Sequence, residues 1–190
     1  MQQEDGRFRK LRKSCNEPGD AHELTFTCYK RLPLLSKDRT RLWFIGALEQ
    51  ARSRWRFDLW AYVIMPEHAH VLLLPRETDY DVSLFLKAIK QSVARRAIQF
   101  LRDGAPQWLE RLTVPTSKGV TEYRFWEAGG GYDRNIEQAR TAWNSVQYIY
   151  RNPVRRGLVQ SPCEWEWSSA RWYEGQGSVR LRMDGNPPRP

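Results

Sequence analysis

The 190-residue chain is poor in cysteine: Cys15, Cys28 and Cys163 are widely spaced and form no C-x-x-C pair. That excludes a disulfide framework and a four-cysteine zinc site, and points to a reducing, cytoplasmic compartment. No apolar run approaches the roughly 18 to 20 residues of a membrane span, and the N-terminus is polar and charged, so neither membrane insertion nor secretion is expected. Internal repeats are absent, and Gly129-Gly130-Gly131 lacks the Gly-Lys-Ser/Thr ending of a phosphate-binding loop. It reads as a flexible turn into the next helix. Acidic residues are the minority, 22 against 31 Lys and Arg, which leaves a net charge of +9. That balance suits a polyanion, nucleic acid first, though a solvated basic surface has the same totals.

What is present is enough for one domain. Hydrophobic residues make up 41% of the chain, with nine Trp and eight Tyr, so it can bury a core. Residues 1–20 carry Arg7, Arg9, Lys10, Arg12 and Lys13 and end in a turn-rich break, which reads as a flexible basic arm. Residues 21–174 form the domain. From Gly175 onward Gly, Pro and Arg dominate, predicting a mobile tail over 175–190.

Within the domain, residues 22–29 alternate Leu24, Phe26 and Cys28 with polar or threonine neighbours, the period of a half-buried strand. Ser36 or Asp38 caps a helix with apolar positions Leu42, Ile45, Leu48, Ala51 and Trp55, ending near Arg54. Residues 57–65 and 68–74 read as two strands joined at Pro66-Glu67. Asp81 or Ser83 opens a second helix with a stripe of Phe85, Leu86, Ile89, Val93, Ala97 and Phe100. Residues 103–118 are a long connection, residues 121–126 a fourth strand, and residues 135–152 a third helix ended by Pro153. Trp165, Trp167 and Trp172 then close the core. Strand, helix, strand, strand, helix, strand is the split βαβ, ferredoxin-like α+β arrangement with an antiparallel sheet, here with an added C-terminal helix.

Two of the three histidines, His68 and His70, begin the third strand. Residues two apart in a strand share a face, with β-carbons roughly 7 Å apart, so both imidazoles can reach one metal ion. On the third helix, at about 100° per residue, Ala139, Ala142, Trp143, Val146, Ile149 and Tyr150 fall within roughly 120° and form the packed stripe. Tyr148 lies nearly opposite its centre. Asn152, four residues on, shares the face of Tyr148. A phenol and an amide presented together can serve as nucleophile and third metal ligand. Two neutral imidazoles and an amide oxygen leave coordination positions open for phosphate and water, and Mg²⁺ or Mn²⁺ suits such a site. Phosphodiester cleavage requires those parts: a cation against the developing charge and an aligned nucleophile.

P-E-H-A-H-V-L-L-L at 66–74, Y-I-Y-R-N-P-V-R-R-G-L-V at 148–159 and W-E-W-S-S-A at 165–170 resemble the single-tyrosine HUH transposases, and within them the REP-associated tyrosine transposases. The resemblance spans residues 22–173. It implies the HUH endonuclease fold with the added helix carrying the catalytic tyrosine, and cleavage of single-stranded DNA beside a hairpin. It implies His68 and His70 as HUH metal ligands, Asn152 as the third, and Tyr148 as the nucleophile, forming a 5′-phosphotyrosine and leaving a 3′-hydroxyl. The same resemblance favours a monomer over a homodimer. Lys87, Lys90, Arg155, Arg156 and the basic arm are candidate phosphate contacts on charge. Two other readings stand beside this one: a domesticated hairpin-DNA-binding protein without transposition, and a zinc protein using His68, His70 and Cys28.

Overall fold

The computed structural model of the chain describes residues 16–115, 121–129 and 131–189. Most of the expected basic arm, Cys15 and Gly130 lie outside the described residues. In chain order, β1 (Ala21–Thr27) leads to α1 (Asp38–Trp55), and β2 (Phe57–Ile64) turns back as β3 (His68–Pro75). Then come α2 (Val82–Gly104), α3 (Gln107–Leu112), the two-residue strands β4 (Thr113–Val114) and β5 (Glu122–Tyr123), and β6 (Tyr132–Ile136). The last helices are α4 (Ala139–Arg155) and α5 (Ala170–Tyr173). The main sheet has the order β2-β3-β1-β6 with every neighbouring pair antiparallel. This is the expected split βαβ, ferredoxin-like order.

The sheet is buried on both sides. Leu24 and Phe26 of β1, Cys28 just beyond it, and Ala69, Val71 and Leu73 of β3 pack with Phe44, Leu48, Phe85, Ile89 and Val93 of α1 and α2. The alternate residues face the other way, where Ala61, Val63 and Leu72 meet Ala142, Val146 and Ile149 of α4. The period of two thus assigns each strand one apolar layer and one mixed layer. Asp81 caps α2 by accepting from the Ser83 and Leu84 N–H groups, satisfying donors that the first turn leaves open.

Several expectations change. The fourth strand of the sheet is β6, not residues 121–126; β5 pairs only with β4. Gly131 therefore leads into an edge strand rather than a helix. Its φ is +84°, and a Cβ there would sit 2.5 Å from the Thr25 carbonyl oxygen, so glycine is what lets the chain approach β1. Asn135 and Ile136 are spent on β6, and α4 starts at Ala139. It runs through Pro153 to Arg155, because a proline this near the end removes only one N–H from the ladder.

The buried face of α1 includes Arg41 and Arg52 beside Phe44, Ala47, Leu48 and Ala51, while Leu42 is exposed. Counting apolar residues rotated that face, since Arg41 is held against Trp165 and Trp167 and Arg52 is paired with Glu49 and Asp184. Trp167 is buried and Trp165 half-buried, but Trp172 is exposed and donates to Asn186. The stretch after Gly175 also differs from a loose tail. Leu181 and Met183 enter the core, and Asp184 accepts from the Leu59 N–H and pairs with Arg52. With Ile64 N–H donating to Trp167 and Ser169 N–H to Tyr62, this segment covers the outer edge of β2.

Candidate active site

The mixed layer opens into a cavity of about 870 Å³ at the end of the sheet where β1 finishes and β3 begins. Antiparallel register sets Thr27 opposite His68 and Thr25 opposite His70, so these four side chains share the face toward α4. The His68 and His70 rings lie 4.8 Å apart at 82°. The Tyr148 ring stands 5.5 Å from that of His70 at 79°, and the Arg155 guanidinium lies 4.9 Å over the Tyr148 ring. Tyr148 is 39% exposed and Tyr150 8%, the division the helical wheel predicts. Asn152 is buried and lines the same cavity.

The electrostatics keep both imidazoles neutral. Burial pushes His70 down to about 3, and the charge of His68 acts in the same direction. Burial also lowers His68, against the pull of Glu67 and with Arg156 and Arg31 assisting. His70 Nδ1 lies 2.9 Å from Thr25 Oγ1, which fixes the ring and leaves Nε2 for another partner. His68 Nδ1 is buried without a hydrogen bond among the described residues; Glu67 Oε1 is 3.3 Å away but misaligned. That carboxylate accepts instead from Arg156 Nη2 at 2.8 Å.

These groups fit a divalent cation: two neutral imidazoles on one face, one with an orphaned buried nitrogen, and a neighbouring amide. No group of three or more His, Cys, Asp or Glu gathers as a metal cluster among the described residues, so an all-His/Cys/carboxylate set is not available. The zinc reading with Cys28 fails on geometry, because Cys28 is buried in the apolar layer on the opposite face of the sheet.

Tyr148, His68, His70, Asn152, Arg155 and Arg156 thus line one cavity, whereas Lys87 and Lys90 on α2 do not. The Lys90 ammonium donates to the Glu127 and Gly129 carbonyls and holds the loop before β6. Sequence reasoning missed the floor: Glu23, Thr25 and Thr27 of β1, with Arg31 just beyond it, Arg134 on β6 and Ser145 on α4. Ser145 Oγ donates to Glu23 at 2.8 Å, joining α4 to β1 one turn before Tyr148. The alternation on β1 carried the signal, because Glu23, Thr25 and Thr27, alternating with Leu24 and Phe26, had to face something other than the apolar core.

A ferredoxin-like sheet carries the His-x-His pair on one strand and faces the Tyr148–Asn152 pair on a helix across one cavity, the arrangement that the motif resemblance implies. The chain is similar to proteins named as REP-associated tyrosine transposases. It is 25% identical over 143 residues to a candidate REP-associated tyrosine transposase of Haemophilus influenzae, covering 72% of this chain and 76% of that protein. It is 28% identical over 113 residues to the REP-associated tyrosine transposase of Escherichia coli K12, covering 60% of this chain but only 54% of that protein. The solved structure of a REP-associated tyrosine transposase bound to a REP hairpin superposes with a TM-score of 0.66 at 19% identity, over 94% of this chain and 93% of that one. No family model matches the chain. No described helix is long and apolar enough to cross a membrane.

Proposed function

We propose that the chain is a divalent-cation-dependent endonuclease and strand transferase, transposase-like, that acts on single-stranded DNA beside a hairpin. The observation that carries this reading is the meeting in one cavity of the His68–His70 pair and Tyr148, with Asn152 beside it. A DNA partner is further supported by the relative bound to a REP hairpin and by the net charge of +9. His68, His70 and Asn152 would hold the cation, and Mg²⁺ or Mn²⁺ bound there would supply positive charge against a non-bridging phosphate oxygen.

The Tyr148 oxygen attacks the phosphorus, forming a tyrosyl O–P bond as the bond to the 3′ oxygen breaks. The phenolic proton is lost, the 3′ oxygen gains one, and the products are a 5′-phosphotyrosine and a 3′-hydroxyl. Reversal with a different 3′-hydroxyl rejoins a strand, since the ester bond is conserved. The four groups meet within one chain, so the site needs no residue from a second copy, which is in keeping with a monomer.

The test is incubation with Mn²⁺ and labelled hairpin oligonucleotides, followed by denaturing electrophoresis. Label should move with the protein, vanish in Tyr148→Phe and vanish with chelator. An undiminished adduct in Tyr148→Phe overturns the tyrosine assignment. Retarded hairpins on a native gel without an adduct favour the domesticated DNA-binding protein.

A further inference from the structure

Directly after β1, two consecutive residues other than glycine adopt left-handed backbone: Lys30 (φ 52°, ψ 25°) and Arg31 (φ 52°). Side chains other than glycine are disfavoured there, and such residues persist only where the surroundings over-determine them. The surroundings do so here. Cys28 N–H donates to the Glu67 carbonyl and Tyr29 N–H to that of Phe125, each at 2.9 Å. Lys30 N–H donates to Glu127 Oε1 at 2.6 Å, and Arg31 N–H to the Cys28 carbonyl at 2.9 Å.

The consequence is directional. Lys30 lies over the Tyr29 ring, whereas Arg31 lines the cavity close enough for its charge to be felt at His68. The other cavity arginines are engaged: Arg156 with Glu67, Arg155 on Tyr148, and Arg134 within 4.0 Å of Glu23. The Arg31 guanidinium has no hydrogen-bond or ion-pair partner among the described residues. A rigid turn that presents an unpaired planar fork beside two buried neutral imidazoles is chemically matched to a phosphate.

We infer that Arg31 is a substrate-binding residue that grips a phosphodiester of the DNA strand next to the linkage cleaved, and that the left-handed turn exists to aim it. This rests on the single-strand DNA reading above. Arg31 then positions the strand, and Tyr148 performs the chemistry.

Arg31→Gly separates this role from folding, because glycine accepts the left-handed φ and removes only the side chain. In a Tyr148→Phe background, so that no covalent step intervenes, Arg31→Gly should keep or raise the melting temperature and weaken hairpin DNA binding about tenfold. It should also reduce the slope of log affinity against log salt by about 0.7, the value for one phosphate contact on a single strand. Arg31→Lys should retain the salt slope but not the full affinity. In Tyr148→Phe, replacing phosphates one at a time by neutral methylphosphonates should reveal one linkage whose neutralisation no longer matters once Arg31 is Gly. An unchanged salt slope and affinity in Arg31→Gly overturns the inference while leaving the nuclease reading intact. Binding that depends on Arg31 without any adduct in the wild type overturns the nuclease chemistry and sustains Arg31 as a DNA-phosphate contact, though not its place beside a cleaved linkage. Failure of the wild type to bind single-stranded or hairpin DNA overturns both.

Discussion

The two faces of the central strands make different use of the same backbone. On one face of β1 and β3, Leu24, Phe26, Ala69, Val71 and Leu73 are fully buried among apolar side chains. On the other, Thr25 faces His70 and Thr27 faces His68 over a cavity that reaches solvent. The first face supplies burial free energy. The second holds imidazoles and hydroxyls whose arrangement depends on the first staying rigid. A site set on a strand with a packed back is held more exactly than one on a loop, and His70 shows how: strand register brings it to Thr25 and their hydrogen bond holds the ring.

Three experiments would break or sharpen that contrast. The largest effect belongs to the apolar face. Phe26→Ala, which empties the space against Phe44 and Trp126, should cost about 3 to 5 kcal/mol in urea unfolding. A loss below about 1 kcal/mol would mean that this layer is not the main support of the sheet.

The next is pH. The unfolded chain protonates its histidines near the ordinary 6.5, whereas folded His70 resists protonation until about 3. Between those values the unfolded state binds more protons, so stability is full above about pH 6.5 and falls as pH drops toward 3. From pH 6.5 to pH 5 the decline attributable to His70 should be about 2 kcal/mol. Urea midpoints at several pH values check it, and His70→Gln should flatten the curve over that range.

The smallest effect on stability belongs to the mixed face. Thr25→Val keeps shape but removes the oxygen at His70 Nδ1, and should cost about 1 kcal/mol or less in unfolding. Mn²⁺ affinity, measured by calorimetry, should nevertheless fall about tenfold, as expected when an outer hydrogen bond that orients a ligand is lost. Equal losses in both would make Thr25 a packing residue only.

Much of the fold was legible because it follows local periods. The β2–β3 hairpin fell where the two apolar runs around Pro66-Glu67 put it, and the α2 stripe is buried from Phe85 to Ala97 as three-to-four spacing predicts, although its last member, Phe100, is exposed. The errors share a cause. Residues 121–126 carry the composition of a strand, yet the sheet edge went to Tyr132–Ile136 because Gly131 permits the close approach to β1 that pairing requires. Arg41 and Arg52 are inside because aromatic rings and carboxylates from distant parts of the chain receive them. The tail near Leu181 reads as loose from its glycines and prolines, but three apolar residues, Val179, Leu181 and Met183, pack against the core.

The sequence by itself determined that His68 and His70 share one side of a strand and that Tyr148 and Asn152 share one side of a helix. Those facts follow from backbone periods of two and 3.6 residues and need no knowledge of the rest of the chain. Only the tertiary structure decided that these two sides face each other across one cavity, that the polar side of β1 forms its floor, and that a strained turn aims Arg31 into it. Such choices rest on strand register and layer packing between residues far apart in sequence, and local preference is blind to both.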